Sequence, residues 1–70
     1  MKPIELKVPP NAPEKTRKRI EQAVPTDQDW RFLALLAAAY WRLLYNNNGS
    51  KECCQQLTVW LEASRDYPPT

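Results

Sequence analysis

Histidine is absent from this 70-residue sequence, glycine occurs once and cysteine occurs twice. Without histidine, a serine or cysteine nucleophile has no usual general base, and a single glycine cannot form a Gly-rich phosphate-binding loop. The adjacent thiols of Cys53 and Cys54 cannot cross-link distant parts of the chain, and they do not supply the four ligands of a zinc site. The residue inventory therefore predicts a protein that is not an enzyme and that uses no metal and no cofactor.

Long uninterrupted apolar runs are also lacking. The stretch "MKPIELKVPP" has no apolar region of the kind found in signal peptides. Arg31 and Arg42 interrupt the most apolar segment, which is too short for a bilayer span of roughly 20 apolar residues. Two cysteines with no distant partner fit a reducing compartment. These features predict a cytoplasmic protein, without membrane contact, that forms one small domain over residues 1–70.

The hydropathy pattern predicts a mainly α fold, in which an N-terminal strand or extended arm precedes three helices. Ile4, Leu6 and Val8 alternate with polar residues, and prolines bound this segment, as is typical of an edge strand. The predicted elements are a strand or arm over residues 1–10, helices over residues 11–25, 26–46 and 50–65, and a tail over residues 66–70.

Polar residues mark where each predicted helix begins. Asn11, Thr26 and Ser50 are the expected N-caps of the first, second and third helices. The turn "NNNGS" is short, which predicts that the second and third helices form an antiparallel hairpin. In the third helix, Cys53 and Trp60 belong to the apolar stripe, whereas the spacing places Gln56 on the outward face.

The second predicted helix is apolar around most of its circumference. Within "DWRFLALLAAAYWRLLY", only a narrow stripe containing Arg31, Ala38 and Arg42 suits contact with water. A chain this short has little other surface to cover such a helix, because small domains bury only a modest core. We therefore expect a homodimer in which this helix packs against its copy. The predicted dimer or partner interface comprises Ile4, Leu6, Val8, Trp30, Phe32, Leu36, Ala37, Tyr40 and Trp41.

Positive charge is concentrated in the first third of the chain. The overall net charge is +2, and the cluster "KTRKR" lies in the first predicted helix. Such a cluster is either an ordinary solvated face or a phosphate-binding patch, in which Lys15, Lys18 and Arg19 would be the natural contacts.

The segments "IELKVPP", "PEKTRKRIEQA" and "TDQDW" together resemble the ribbon-helix-helix family of dimeric DNA-binding repressors. The resemblance covers about residues 2–45 and implies an intertwined dimer whose paired strands enter the major groove, which would make the protein a transcriptional regulator. The chain differs from that family at Pro25, where the family usually has glycine, and Asp27 and Asp29 would repel phosphate. The DNA-binding residues that the resemblance and the basic cluster imply are Lys2, Glu5, Lys7, Lys15, Lys18, Arg19 and Thr26.

An alternative interpretation is a helical protein-interaction module or adaptor. In that case another protein, rather than a second copy or duplex DNA, would cover the tryptophan-rich helices, and the N-terminal strand would add to that protein's sheet edge.

Overall fold

The computed structural model describes residues 5–24, 26 and 28–66 of the chain. Its elements are α1 (Glu14–Gln22), α2 (Trp30–Asn48) and α3 (Lys51–Asp66), with no β-strand in the described part. Helices α2 and α3 pack along each other as a hairpin, which confirms that prediction, and α1 packs less extensively against α2. The mainly helical class is therefore confirmed.

Helix α1 is shorter than the predicted span of residues 11–25. Pro13 occupies the N-cap position, and its carbonyl accepts the first helical hydrogen bond from the Arg17 N–H at 2.8 Å. Asn11 lies two residues before this N-cap, and its side-chain amide donates instead to the Tyr40 carbonyl at 3.1 Å. The helix gives way to extended backbone at Ala23, two residues before a proline whose ring disfavours helical conformation in the preceding residue.

Helix α2 begins later and ends later than predicted. Its N-cap is Asp29 rather than Thr26, and the Asp29 side chain itself makes no capping hydrogen bond. At its C-terminus Gly49 adopts a left-handed conformation with φ of 63°, where an L side chain would be strained. Ser50 then caps α3 as predicted, since its Oγ accepts a hydrogen bond from the Cys53 N–H at 3.2 Å.

One stripe of α2 forms the centre of the core. Trp30, Leu33 and Trp41 are buried on this stripe with the small residues between them, and they meet Cys53, Trp60 and Ala63 of α3. Ala38, which the helical wheel placed on the water-facing stripe, is also buried, at 2% exposure. The buried arc of α2 extends as far as Ala38 because α3 lies against that side. The buried stripe of α2 is thus wider than the positions of Arg31 and Arg42 predicted.

Residues 5–9 have no regular secondary structure and lie across the hairpin, and we call them the arm. The strand predicted within residues 1–10 does not form over the described part of that span, and Ile4, at the start of the alternation, lies outside the described residues. The Lys7 carbonyl accepts hydrogen bonds from the indole N–H groups of Trp41 at 3.0 Å and Trp60 at 2.9 Å. Pro9, at the end of the arm, is fully buried. The arm is therefore joined to both α2 and α3.

Gln56 pairs with the arm as a neighbouring strand would. Its Oε1 accepts from the Lys7 N–H at 2.9 Å, and its Nε2 donates to the Glu5 carbonyl at 2.7 Å. The side chain is 2% exposed, so the expectation that it faces outward was wrong. A buried primary amide is tolerated here because both of its polar atoms have partners. This amide satisfies backbone groups that a second strand would otherwise have to pair.

Candidate functional site

The structure divides the predicted partner interface into two groups. Trp30, Ala37 and Trp41 lie in the core of this chain, where α3 and the arm cover them. The remaining described members keep some access to solvent. They are Leu6, Val8, Phe32, Leu36 and Tyr40, of which Val8 also packs against the core.

The side of α2 that faces away from the core is apolar and exposed. Phe32 and Leu43 are each 59% exposed, and Leu35 is 46% exposed. Phe32, Leu36, Ala39 and Leu43 follow each other at intervals of four, three and four residues, which aligns them along one line of a helix. We call these four residues, together with Leu35, the outer face of α2. Their spacing is that of a helix that packs against another helix.

A groove continues the outer face toward α3. It has a volume of about 300 Å³, and Leu35 and Ala39 form one wall while Leu57 and Leu61 form the other. Leu61 is itself 40% exposed, although it belongs to the apolar stripe of α3. The groove is therefore an apolar channel between two helices that is open to solvent.

Three arginines border this groove. Arg42 lines it directly, and Arg31 and Arg65 line an adjoining hollow that shares Leu35 with it. All three arginine residues are exposed, and none forms an ion pair with another described residue. Among the described residues that line the groove and the hollow there is no aspartate or glutamate. The border of the apolar channel is thus positively charged.

Carboxylates accompany several of the predicted DNA-binding cations. Lys18 Nζ lies 3.6 Å from Glu14, Arg19 lies 3.6 Å from Asp29, and Lys7 Nζ lies 3.9 Å from Glu52. These pairs are largely exposed, so each adds little stability, but each lowers the local positive potential. The other predicted DNA-binding residues in the described part are Glu5, Lys15 and Thr26, which are exposed, whereas Lys2 lies outside it.

The cysteines sit where α3 begins. Cys53 is buried with its Sγ 3.1 Å from the Ser50 Oγ, and Cys54 is exposed; both are free thiols. Among the described residues, no group of three or more cysteine or acidic side chains is placed to hold a metal ion. Within the same residues, each helix is too short or too polar to cross a bilayer.

Sequence reasoning missed the part of the site that α3 contributes. None of Leu35, Leu61 and the bordering arginines was connected with a partner surface. The four-three-four spacing on α2 was visible in the sequence and could have shown the outer face. The groove could not be seen in this way, because it depends on how closely α3 approaches α2. No protein-family model, curated protein or solved structure matches this chain.

Proposed function

We propose that this protein is a non-enzymatic interaction module that binds another protein through the outer face of α2 and the adjoining groove. The observation that carries the proposal is the exposure of Phe32, Leu35 and Leu43 on a helix whose opposite side already fills the core. A contiguous exposed apolar surface on a small protein typically marks a contact site, because leaving it in water costs free energy.

The arm supports the same proposal. Its backbone groups at Glu5 and Lys7 are bound to Gln56, so the fold of the hairpin is closed on that side without a second chain. The apolar surface that remains exposed to water lies on the side of α2 that faces away from the core. A partner that removed this surface from water would gain hydrophobic free energy without disturbing the core.

Site-specific photocross-linking tests this function in cells that express the chain. A benzophenone amino acid replacing Phe32 should cross-link to another protein, and the matched control replacing Arg17, an exposed position on α1, should not. Adding Leu43→Glu should abolish the cross-link, because it places a charge in the apolar face. Mass spectrometry of the adduct separates another protein from a second copy of this chain, which is the homodimer that the sequence predicted.

Equal cross-linking from the two positions would refute an interaction surface on α2. Cross-linking from Phe32 to a second copy alone would replace the hetero-partner by a homodimer. Circular dichroism of the Leu43→Glu variant controls for loss of fold, and an unchanged helical spectrum is expected because Leu43 is mostly exposed.

A dimeric DNA-binding regulator is the second candidate, and the exposed cations of α1 favour it. Lys15 and Arg17 are exposed, and no carboxylate among the described residues lies within ion-pair distance of either. Binding to duplex DNA should then weaken steeply with salt and on replacement of Lys15, Lys18 and Arg19 by alanine. Affinity for DNA that survives this triple change at moderate salt would exclude the regulator.

A further inference from the structure

We infer that the partner element that occupies the groove between α2 and α3 is an amphipathic helix with acidic residues flanking its apolar stripe. This inference rests on the proposed function and adds the chemistry of the ligand. The occupant is a helix of another protein, whose apolar side chains enter the groove while its carboxylates meet the bordering arginines.

The shape of the site favours a helix as the occupant. Leu35 and Arg42, which both line the groove, are seven residues apart, which corresponds to about 10 Å along α2, or two turns of a partner helix lying alongside it. The groove runs between two helices, and such grooves accept the apolar ridge of a third helix. Ala38 and Ala39 line it with small side chains, which allow a larger partner residue to enter.

The charge of the site selects the flanking residues of that helix. Arg31, Arg42 and Arg65 border the apolar channel, and the described residues provide neither an ion-pair partner for these arginines nor an acidic side chain in the lining. A helix with glutamates beside its stripe would place carboxylates next to these guanidinium groups. A helix with lysines there would be repelled, so the border discriminates between partners as well as attracting one.

The same charges oppose a second copy as the occupant. Helix α2 contains two arginines and no acidic residue between Trp30 and Asn48. Packing two outer faces together would therefore gather Arg31 and Arg42 of both copies around one apolar seam. Like charges at an interface disfavour association, and the groove lining offers no carboxylate to compensate for them.

Calorimetric titration of the full chain with designed peptides tests the inference. The probe is a 21-residue amphipathic helical peptide with a leucine stripe flanked by glutamates, and the two comparison peptides carry lysine or glutamine at the flanking positions. The glutamate peptide should bind at least about tenfold more tightly than the lysine peptide, from three partly exposed charge contacts, and its advantage should shrink at high salt.

Charge reversal provides the stricter test. The variant Arg31→Glu, Arg42→Glu and Arg65→Glu should prefer the lysine peptide over the glutamate peptide. The matched control reverses Lys15, Arg17 and Lys18 on α1, which changes the net charge equally but leaves the groove border intact, and it should keep the preference for glutamate. Circular dichroism on both variants checks that the helical content is unchanged.

Any of three peptide results would overturn the inference. They are equal affinity for the glutamate and glutamine peptides, an identical response of the two charge-reversal variants, and failure of every peptide to bind at about millimolar concentration. Binding to vesicles of anionic lipid in place of the peptides would also overturn it, and would assign the surface to a membrane. Position-specific cross-linking from Phe32 to another protein would still support the proposed function after any of the three peptide results.

Discussion

Replacing Gln56 by methionine should release the arm from the hairpin. The side chain keeps nearly the same length and fills the same buried position, but it can neither accept from the Lys7 N–H nor donate to the Glu5 carbonyl. The matched control is Gln55→Met, the same chemical change at the neighbouring, half-buried position of α3.

The expected magnitude follows from the two lost hydrogen bonds. Each neutral hydrogen bond contributes about 1 kcal/mol net, so holding the arm in place should become about 2 kcal/mol less favourable. Lys7 and Glu5 are exposed residues, and water that reaches their backbone groups would reduce this cost. In a domain of this size, a loss of about 2 kcal/mol lowers Tm by roughly 8 to 16 °C.

Thermal unfolding monitored by far-ultraviolet circular dichroism measures this loss, and amide hydrogen exchange locates it. The Lys7 amide should lose its protection in Gln56→Met and keep it in Gln55→Met, whereas amides in the middle of α2 should open only with global unfolding in both variants. Equal Tm values for the two variants, together with a Lys7 amide that stays protected, would refute the role assigned to Gln56.

Three further predictions can be checked by urea unfolding. Trp41→Phe and Trp60→Phe each leave one indole donor on the Lys7 carbonyl, so the double variant should lose more stability than the sum of the two single variants. Simple additivity would contradict the shared acceptor. Gly49→Ala should cost about 1 kcal/mol through its left-handed backbone alone, since no atom lies closer than 3.7 Å to the added Cβ, and a neutral effect would argue against that conformation. Phe32→Ala should cost under about 1 kcal/mol whereas Leu33→Ala should cost about 2 to 5 kcal/mol, because Phe32 is 59% and Leu33 is 5% exposed. Equal losses would contradict the assigned orientation of α2.

The helical hairpin was predictable because its signals are local. Apolar spacing identified α2 and α3, and "NNNGS" identified the turn, where Gly49 takes the left-handed conformation that an L side chain adopts only with strain. The N-cap of α2 was predicted three residues too early. Thr26 and Asp29 are both acceptable caps by residue type, and propensity alone does not choose between them.

Gln56 shows why the docking of the arm was not predictable. Periodicity assigns a residue to a face by its polarity, so a glutamine at a core position is read as surface. Its burial depends on two backbone groups about fifty positions away in the chain, and no local pattern reports such partners. The same limitation hid the groove, whose walls are Leu35 of α2 and Leu61 of α3.

The three tryptophans make the protein its own optical probe. All three are 3% exposed. The indoles of Trp41 and Trp60 donate to the same carbonyl of the arm, and the ring centroids of Trp30 and Trp60 lie 5.9 Å apart. Departure of the arm would admit water to two indoles at once and shift their emission to longer wavelength while both helices of the hairpin stay formed. Steady-state spectra of the unlabelled chain can therefore follow this segment separately from unfolding, in the presence of any added ligand that lacks tryptophan.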